Sequence, residues 1–592
     1  MTDPSTDTST PERIGLVAAT AAGRRHADVL ARAWPQARLV PGASVADALR
    51  TAWAECDAVV AFLATGAVVR ILAPLLGDKR TDPAVVVVDE AARHAVALLG
   101  GHAGGGNALA VRVAALLDAE PVVTTATDAV GLPGLDTLGW PVEGAVAAVA
   151  RAILDGEPVR LIADAAWPLP ALPENVRADP EPGAAGPAYD HAGGDADGAA
   201  YRLLVTDRVV PLDGRTAVLR PPSLVAGVGA SRGVPAAEVT DLLHRVLADA
   251  GLSPASLRCL ASADVKADEA GIVATARALG VPLVTWPAAR LAAVDVPHPS
   301  EVVRAAVGTP SVAEAAALLG TTGRPGTAAL LVPKTASAMA TVAVARHAPR
   351  GRLALVGLGP GAPDLRTPRA VAELRRAAVV VGLDQYLDQV RDVLRPGTRV
   401  LASGLGAEQA RARAAVSEAA AGRAVALVGS GDAGVYAMAS PALEYADERI
   451  DVVGVPGVTA ALAAGALLGA PIGHDHAYLS LSDLHTPWEV IERRLTAAAE
   501  GDFVVLLYNP RSRARDWQLG AALKILGRHR PASTPVGVVR NASRPDEWVH
   551  LATLADLDVT VVDMYGVVVV GNSDTRVVAG RMVTPRGYRW RS

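Results

Sequence analysis

The chain has few of the residues that build disulfide frameworks or cysteine-based metal sites. Only two of its 592 residues are cysteine, Cys56 and Cys259, and they lie far apart in the sequence. Because both kinds of framework need several cysteines at short spacing, neither is expected. The sequence therefore predicts a protein without a metal site of its own.

Lysine is scarce as well. It occurs only at Lys79, Lys266, Lys334 and Lys524, and the other 52 basic residues are arginine. Such a bias identifies no site by itself. The remaining lysines still merit examination, because lysine and arginine differ in geometry and in how readily the pKa shifts.

Long apolar runs and an excess of basic charge are also missing. No apolar run reaches the roughly 18 to 20 residues that span a bilayer, and the opening MTDPSTDTSTPER lacks the layout of a signal peptide. The net charge of −5 gives no electrostatic footprint for nucleic acid. We therefore expect a cytoplasmic protein that acts on small molecules, in which local arginine clusters are suited to holding carboxylates.

The chain is instead rich in apolar residues, and these follow an alternating pattern. It is 51% hydrophobic but only 3% aromatic. PAVVVVDE predicts a strand, NALAVRVAALLDA a helix and EPVVTTATD another strand, which is typical of parallel βαβ units. The predicted fold class is multidomain α/β. The expected domains are residues 1–140, residues 141–221 with a flexible insertion rich in Pro, Ala and Gly from Pro168 to Ala200, residues 222–348 and residues 349–592.

Two glycine-rich loops lie in the last 240 residues. The first reads LVGLGPG (355–361) and the second LVGSGDAGVY (427–436), and each follows an apolar run of strand type. A third turn, VPGVTA (455–460), comes next. Loops at the carboxyl ends of buried strands are where open α/β sheets bind ligands. The spacing fits neither a Rossmann fingerprint nor a phosphate-binding P-loop.

The three loops, in this order, resemble those of the S-adenosylmethionine-dependent tetrapyrrole methyltransferases. Later segments are similar to the branch that methylates C17 of precorrin-3B or cobalt-factor III: LLYNPRSRARDWQL (506–519), RNASRPDEWVHLATL (540–554) and VVVVGNSDTRVVAGRMVTPRGY (567–588). The resemblance covers residues 352–592. It implies a two-domain α/β methylase fold, a methyltransferase activity and a role in cobalamin biosynthesis.

The resemblance also implies the residues that bind S-adenosylmethionine. They are Pro360, Ser430, Gly431, Asp432, Thr459, Ala460, Tyr508, Asn509 and Asn541. Asp432 has two alternatives: it stabilises positive charge or moves a proton in catalysis, or it caps the following helix. Ala433 stands where many relatives have proline.

Further side chains of this half are candidates for the substrate site. Acid–base help during ring contraction is assigned to His474, His476 or His485, each against the alternative of a solvated loop histidine. Arg511, Arg513 and Arg515 alternate after the YNP turn and are suited to pair with the carboxylates of a macrocycle, against the alternative of a solvated basic loop.

The amino half carries a histidine framed by glycines, in GGHAGG (100–105), before a predicted helix. The amino end of this helix, with Asn107 in its first turn, is a candidate anion site. The block is similar to the cobalt-precorrin-5A hydrolase family, and so are VGASRG (228–233), SADVKADE (262–269), SVAEA (311–315) and the region of Lys334. The resemblance implies opening of a lactone and release of acetaldehyde. His102 is the candidate general base, against the alternative of a structural histidine, and Lys79 or Lys266 is the candidate for stabilising oxyanion charge.

Two readings of the whole chain remain open. The first is a bifunctional enzyme of corrin-ring biosynthesis, a hydrolase fused to a C17-methyltransferase. The second keeps the methyltransferase but makes the amino half a binding module that holds corrinoid intermediates. Either way the expected cofactor is S-adenosylmethionine, with cobalt only as part of the substrate. The expected partners are tetrapyrrole substrates and other enzymes of the same pathway, and the resemblance implies a homodimer.

Overall fold

The structure is a computed structural model that describes residues 13–78, 81–101, 104–125, 134–135, 138–178, 201–321, 323, 328–512 and 515–587. The chain divides into two compact units. The amino unit consists of Met1–Ala166 and Leu172–Pro349, and the carboxyl unit of Trp167–Ala171 and Arg350–Ser592. Every large sheet packs against helices, so the predicted multidomain α/β fold class is confirmed.

The amino unit begins with a six-stranded sheet in the order β2-β1-β3-β4-β5-β6. Its strands are β1 (Ile14–Ala18), β2 (Ala37–Leu39), β3 (Ala58–Phe62), β4 (Ala84–Val88), β5 (His94–Leu99) and β6 (Glu120–Val122). Its helices are α1 (Ala21–Ala33), α2 (Val45–Glu55), α3 (Thr65–Leu72), followed by the 3₁₀ turn Ala73–Leu75, and α4 (Gly106–Leu117). Thr20 and Ser44 cap α1 and α2 by accepting N–H bonds from Gly23 and Asp47.

One strand of this sheet departs from the predicted parallel pattern. β5 pairs antiparallel with β4, whereas the other strand pairs of the sheet are parallel. The turn between them is short and places Ala92 at a φ of +50°. The expectation of parallel βαβ units alone is therefore wrong here, because a tight turn joins antiparallel strands without a crossover helix.

A smaller five-stranded sheet follows, in the order β7-β11-β10-β8-β9. It contains β7 (Val142–Gly144), β8 (Val159–Ala163), β9 (Val176–Ala178), β10 (Tyr201–Val205) and β11 (Thr216–Leu219), with α5 (Val146–Leu154). β9 lies inside the stretch that was expected to be a flexible insertion. Because Val176–Ala178 pairs with β8, that expectation is wrong for these residues. Residues 179–200 of the stretch lie outside the described part of the chain.

The third sheet of the amino unit has the order β14-β13-β12-β16-β15. Its strands are β12 (Leu224–Ala230), β13 (Leu257–Ala263), β14 (Leu283–Trp286), β15 (Ala328–Ala336) and β16 (Ala340–His347). Its helices are α6 (Ala236–Asp249), α7 (Ala270–Ala278), α8 (Ala288–Ala292), α9 (Glu301–Val307) and α10 (Ala313–Leu319), with 3₁₀ turns Pro254–Ser256 and Asp264–Lys266. Cys259 is free and buried in this sheet, and burial raises its pKa to about 12.

The carboxyl unit opens with a parallel sheet in the order β19-β18-β20-β17-β21. Its strands are β17 (Gly351–Gly357), β18 (Val379–Leu383), β19 (Arg399–Ser403), β20 (Ala424–Gly429) and β21 (Ile450–Val455). Its helices are α11 (Pro368–Arg376), α12 (Asp384–Leu387), α13 (Glu408–Ala420) and α14 (Ala439–Tyr445), with 3₁₀ turns Pro363–Leu365 and Asp388–Val393. Every residue of β17 and β20 is buried, which is typical of central strands covered on both faces.

A mixed sheet completes this unit, in the order β23-β24-β27-β25-β26, together with a three-stranded sheet β22-β29-β28. The strands are β22 (Gly469–Ala470), β23 (His476–Ser480), β24 (Val504–Tyr508), β25 (Pro535–Arg540), β26 (Trp548–Thr553), β27 (Gly566–Val570), β28 (Arg576–Val578) and β29 (Arg581–Val583). The helices are α15 (Ala460–Leu468), α16 (Trp488–Glu500) and α17 (Gln518–Leu526), with a 3₁₀ turn Val559–Val561. Of the helices described in both units, none combines the length and the apolar character that a membrane crossing requires.

Candidate active site

The three glycine loops of the carboxyl unit meet at one edge of its parallel sheet. The first loop follows β17, the second follows β20 and the third follows β21, and these strands are neighbours. The Gly359 and Gly431 amides each donate to the carbonyl oxygen of the other residue, at 3.0 and 2.7 Å. The predicted strand before each of the first two loops is confirmed, and the loops form one continuous backbone surface.

Glycine is required where the loops touch. A Cβ on Gly357 would lie 2.7 Å from the Gly431 oxygen and 2.8 Å from the Gly457 nitrogen, and a Cβ on Gly457 would overlap the Gly431 oxygen. Gly431 also has a φ of +67°, which residues with a side chain rarely adopt. The three backbones can therefore approach one another only with these glycines in place.

Asp432 joins the second loop to the third. Its carboxylate accepts a hydrogen bond of 2.8 Å from the Gly434 amide and one of 3.0 Å from the Gly457 amide. The helix-capping alternative is wrong, because α14 begins at Ala439 and no side chain caps it. Asp432 thus accepts hydrogen bonds from backbone amides of two loops. Its role in stabilising positive charge or moving a proton stays a prediction.

A cavity of about 1990 Å³ opens against these loops, within the carboxyl unit. Asp432 is not among its lining residues, but eight other predicted cofactor-binding residues are: Pro360, Ser430, Gly431, Thr459, Ala460, Tyr508, Asn509 and Asn541. The structure therefore brings together residues that lie up to 181 positions apart in the sequence.

Tyr508 and Thr459 connect the parallel sheet of the carboxyl unit to its second, mixed sheet at the cavity. Thr459 lies shortly after β21 of the parallel sheet, and Tyr508 ends β24 of the mixed sheet. Their hydroxyl groups share a hydrogen bond of 2.5 Å, and the Ala461 amide donates to the Tyr508 oxygen at 2.9 Å. Burial raises the pKa of Tyr508, although the bonds from Thr459 and Ala461 oppose this shift. The phenol is therefore neutral at physiological pH, and the site offers hydroxyl and amide groups rather than an anion at this point.

Two asparagines shape the wall of the cavity. Asn509 follows β24 and Asn541 follows β25, and both have a φ of +50°. Asparagine tolerates this left-handed conformation better than most residues do. The Asn509 side chain donates to Ser480 Oγ at 3.1 Å, so its orientation is held by β23.

Arg544 is a site residue that the motifs did not single out, although it lies within one of the segments that carry the resemblance. Its Nε donates to the Pro360 carbonyl at 2.8 Å and its Nη2 to Ser430 Oγ at 3.1 Å. The neighbouring Ser543 accepts a bond of 3.1 Å from the Ala362 amide. Arg544 thus holds the first and second glycine loops from the second sheet of the unit. The only signal in the sequence is an arginine shortly after Asn541.

Arginines line the part of the cavity formed by the second sheet. They are Arg494, Arg511, Arg515 and Arg544, and Arg513 lies outside the described residues. Arg511 donates to the Thr560 carbonyl at 3.1 Å. Burial lowers the pKa of Arg515, and the charge of Asp483 opposes this effect. Arg511 Nε and Arg515 Nη1 are buried and have no hydrogen-bond partner among the described residues.

The three candidate histidines of this half occupy different places. His485 lines the cavity, whereas His474 and His476 do not. His474 accepts a bond from the Asp475 amide at 2.7 Å, and His476 lies 3.1 Å from the His474 carbonyl. The geometry therefore favours His485 among the three for contact with a substrate.

The candidate residues of the amino unit are only partly described. Lys79 and His102 lie outside the described residues. Lys266 Nζ lies 3.3 Å from Glu269, and both side chains are largely buried. Glu269 also accepts a bond of 2.8 Å from the Gly233 amide. Lys266 is therefore held in an ion pair that ties its turn to the loop after β12.

The start of α4 differs from the expected anion site. The Gly106 amide donates to the Gly100 carbonyl at 3.0 Å, and the Asn107 amide donates to the Gly101 carbonyl at 3.1 Å. The Asn107 side chain donates to Thr125 Oγ1 at 2.9 Å. The expectation of an anion site is wrong for these two amides, because their N–H groups already donate to loop carbonyls and are not available to an anion.

Comparison with known proteins places the carboxyl unit in a family. The family profile described as Tetrapyrrole (Corrin/Porphyrin) Methylases matches residues 352–558. The chain is 46% identical, over 239 residues, to the probable cobalt-factor III C(17)-methyltransferase of Salmonella typhimurium, covering 40% of this chain and 99% of that protein. The chain belongs to the tetrapyrrole methylases.

A second curated relative agrees with this assignment. The precorrin-3B C(17)-methyltransferase of a Sinorhizobium species is 43% identical over 249 residues, covering 40% of this chain and 97% of that protein. The crystal structure of the methyltransferase CobJ is 39% identical, with a TM-score of 0.38, covering 40% of this chain and all of that one. The chain spans only 46–53% of the length of five further curated relatives.

The amino unit matches two profiles of another kind. The one described as Cobalamin synthesis G N-terminal matches residues 47–128, and the one described as Cobalamin synthesis G C-terminus matches residues 224–345. The predicted fusion of these segments with a tetrapyrrole methylase is therefore confirmed.

Proposed function

We propose that the carboxyl unit transfers a methyl group from S-adenosylmethionine to C17 of precorrin-3B or cobalt-factor III, with contraction of the ring. The observation that carries the proposal is the cavity that eight predicted cofactor-binding residues line. Two matched relatives, each covered over at least 97% of its length, are named for these two substrates.

The residues present fit the cofactor. S-adenosylmethionine carries an adenine, an amine, a carboxylate and a sulfonium, so it needs backbone polar groups and hydroxyls more than a phosphate cradle. The three loops supply backbone at close approach, and Thr459 with Tyr508 supplies neutral hydroxyls. When bound, the cofactor provides an electrophilic methyl group.

Positioning is the main contribution of the protein to this reaction. Methyl transfer is an in-line displacement, and holding two reactants in the correct geometry lowers the barrier by several kcal/mol without a strong base. Arg544 and Asp432 hold the loops in register, and so they orient the donor indirectly. A proton moved directly by Asp432 remains part of the proposal.

The cavity also suits a large anionic acceptor. Arg511 and Arg515 line it, and a guanidinium group is suited to pairing with carboxylates. Tyr436 also lines the cavity, with its ring centroid 5.2 Å from that of the cofactor-site residue Tyr508. An aromatic face suits a conjugated macrocycle, and we assign the part of the cavity between Tyr436 and the arginines to the tetrapyrrole.

The test uses the full-length protein with S-adenosylmethionine labelled in its methyl group. Precorrin-3B and cobalt-factor III are supplied in separate reactions, and the products are analysed by mass. We expect one labelled methyl group in a ring-contracted product from one of the two. Absence of transfer to both macrocycles would contradict the proposal.

We propose a second activity for the amino unit, the hydrolysis of the lactone of cobalt-precorrin-5A with release of acetaldehyde. The two profile matches support it, since they cover most of the described unit. In this proposal His102 acts as a base, and Lys79 or Lys266 stabilises oxyanion charge. The freed carbon–carbon electron pair passes into the conjugated, cobalt-bearing macrocycle.

One observation favours the alternative of a binding module. The Lys266 ammonium group is already paired with Glu269 in a largely buried turn, which is typical of a structural lysine. Trapping of acetaldehyde after full-length protein is given cobalt-precorrin-5A separates the two functions. Release supports the hydrolase, whereas tight binding without release supports the module.

We further propose four domains, at residues 1–140, 141–221, 222–348 and 349–592, in a cytoplasmic homodimer. Limited proteolysis followed by mass analysis tests the boundaries. Light scattering of the purified protein and fractionation of cells test the assembly and the location.

A further inference from the structure

A histidine of the amino unit lies against a fully buried glutamate. Glu314 belongs to α10 and its side chain is 0% exposed, whereas 55% of the His298 side chain is exposed. Glu314 Oε1 lies 2.8 Å from His298 Nδ1. His298 occupies the loop between α8 and α9, outside the short motifs quoted for the resemblance but inside the region 224–345 that the profile matches.

The carboxylate of Glu314 is anchored by the backbone as well. Oε2 accepts a bond of 3.2 Å from the His298 amide, and Oε1 accepts one of 3.0 Å from the Lys334 amide on β15. Burial by itself would raise the pKa of Glu314, but the Lys334 amide and the His298 contacts outweigh burial and lower it. The side chain is therefore an ionised carboxylate inside the protein.

An ionised carboxylate at a fully buried position is costly unless every oxygen is satisfied. Here the amides of His298 and Lys334 and the imidazole of His298 provide hydrogen bonds to both carboxylate oxygens. Because the carboxylate can only accept, Nδ1 of His298 carries a proton, and in the neutral imidazole Nε2 then has the lone pair. Among the described residues no hydrogen-bond partner approaches Nε2.

A carboxylate that fixes the tautomer and direction of an imidazole, with the far nitrogen unprotonated and accessible, is the arrangement of a general base. Lys334 adds a positive charge to the same loop, because its Nζ donates to the His298 carbonyl at 3.2 Å. We propose that His298 is a general base for water attack on an ester or lactone carbonyl, and that Glu314 is its positioning residue.

The inference rests on the proposed hydrolase function. In the lactone-opening step, Nε2 of His298 removes a proton from water as the water oxygen bonds to the carbonyl carbon of the lactone. The bond from that carbon to the ring oxygen then breaks, and the proton on Nε2 passes to the departing alkoxide. Lactone opening and the later carbon–carbon cleavage each require removal of a proton, so the reaction has a step for His298 and another for His102.

A purely structural role for His298 predicts a different outcome on substitution. In His298→Asn the side-chain amide occupies the position of Nδ1 and keeps a donor for Glu314, but it has no basic nitrogen. If His298 only held the loop, this variant would retain activity. The matched control is His244→Asn, because His244 is an exposed histidine on α6 of the same unit.

The experiment measures trapped acetaldehyde from full-length protein and cobalt-precorrin-5A, together with the melting temperature of each variant. We expect His244→Asn to match the wild type and His298→Asn to lose at least about 100-fold in rate at an unchanged melting temperature. We expect Glu314→Gln to lower kcat more than it changes KM, because it disturbs the direction of the base.

Two results would overturn the inference, and they are distinguishable. A wild-type rate of acetaldehyde release in His298→Asn would exclude His298 as the general base but would leave the proposed hydrolase function standing. Absence of acetaldehyde from the wild type removes the hydrolase function itself, and the role of His298 with it.

Discussion

At the scale of single residues, the side chains that matter most for the methylase site bind backbone groups and one another. Asp432 accepts hydrogen bonds from two loop amides, Arg544 donates to a carbonyl and a hydroxyl, and the Tyr508 hydroxyl is hydrogen-bonded to that of Thr459. Such contacts set the position of the bound reactants. Substitutions that remove one contact and leave the others test them separately.

Arg544→Ala should weaken the binding of S-adenosylmethionine. It removes the bonds to Pro360 and Ser430, but it leaves the bond from the Ala362 amide to Ser543 in place. Each lost bond is worth about 1 kcal/mol, so we expect the dissociation constant from calorimetry to rise by roughly tenfold or more. Arg576→Ala, an exposed arginine of β28, is the control. Unchanged affinity in Arg544→Ala would show that the loops keep their positions without this arginine.

Tyr508→Phe should lower both the stability and the cofactor affinity. Thr459 and the Ala461 amide would lose a partner at a largely buried position, which costs about 1–3 kcal/mol. Denaturant unfolding measures the first effect and calorimetry the second. Tyr201→Phe, in the amino unit, is the matched control. A wild-type unfolding free energy for Tyr508→Phe would contradict this account.

At the scale of elements, the site depends on three strands that end side by side. β17, β20 and β21 are parallel neighbours, so their loops emerge at one edge. The loops then touch through backbone atoms at a distance that excludes side chains at Gly357 and Gly457.

Gly457→Ala should disrupt the loop junction. The added methyl group would overlap the Gly431 carbonyl oxygen, and such overpacking typically costs about 1–3 kcal/mol. We expect a lower melting temperature and loss of methyl transfer. Gly454→Ala is the matched control. Gly454 lies on the same stretch of chain, and a Cβ there would have no neighbouring atom within 4 Å. Equal behaviour of the two variants would mean that the loops have room to separate.

At the scale of the whole molecule, the two units have separate cores and separate candidate sites. Effects at sites that share no partners usually add. We expect His298→Asn to leave methyl transfer at the wild-type rate, and Gly457→Ala to leave acetaldehyde release unchanged, when both activities are measured on the same full-length preparations. A fall of both activities in either variant would show that the units depend on each other.

The sequence by itself determined the α/β class, the family and the strands that precede the first two glycine loops. These follow from local patterns: apolar runs of strand length, helical spacing and glycine clusters at fixed positions. It missed β5, because a tight turn with Ala92 at positive φ carries no strong turn signal. It also treated the whole edge strand β9, Val176–Ala178, as a loop.

The tertiary structure alone decided which side chains hold these candidate sites together. Arg544 reaches Pro360 across 184 positions and His298 reaches Glu314 across 16, and neither pair leaves a periodic trace in the chain. The amides at the start of α4 were likewise consumed by loop carbonyls that no motif indicated. Hydrogen bonds between distant residues depend on how whole elements pack, and packing is set by the sum of many apolar contacts rather than by any local run of residues.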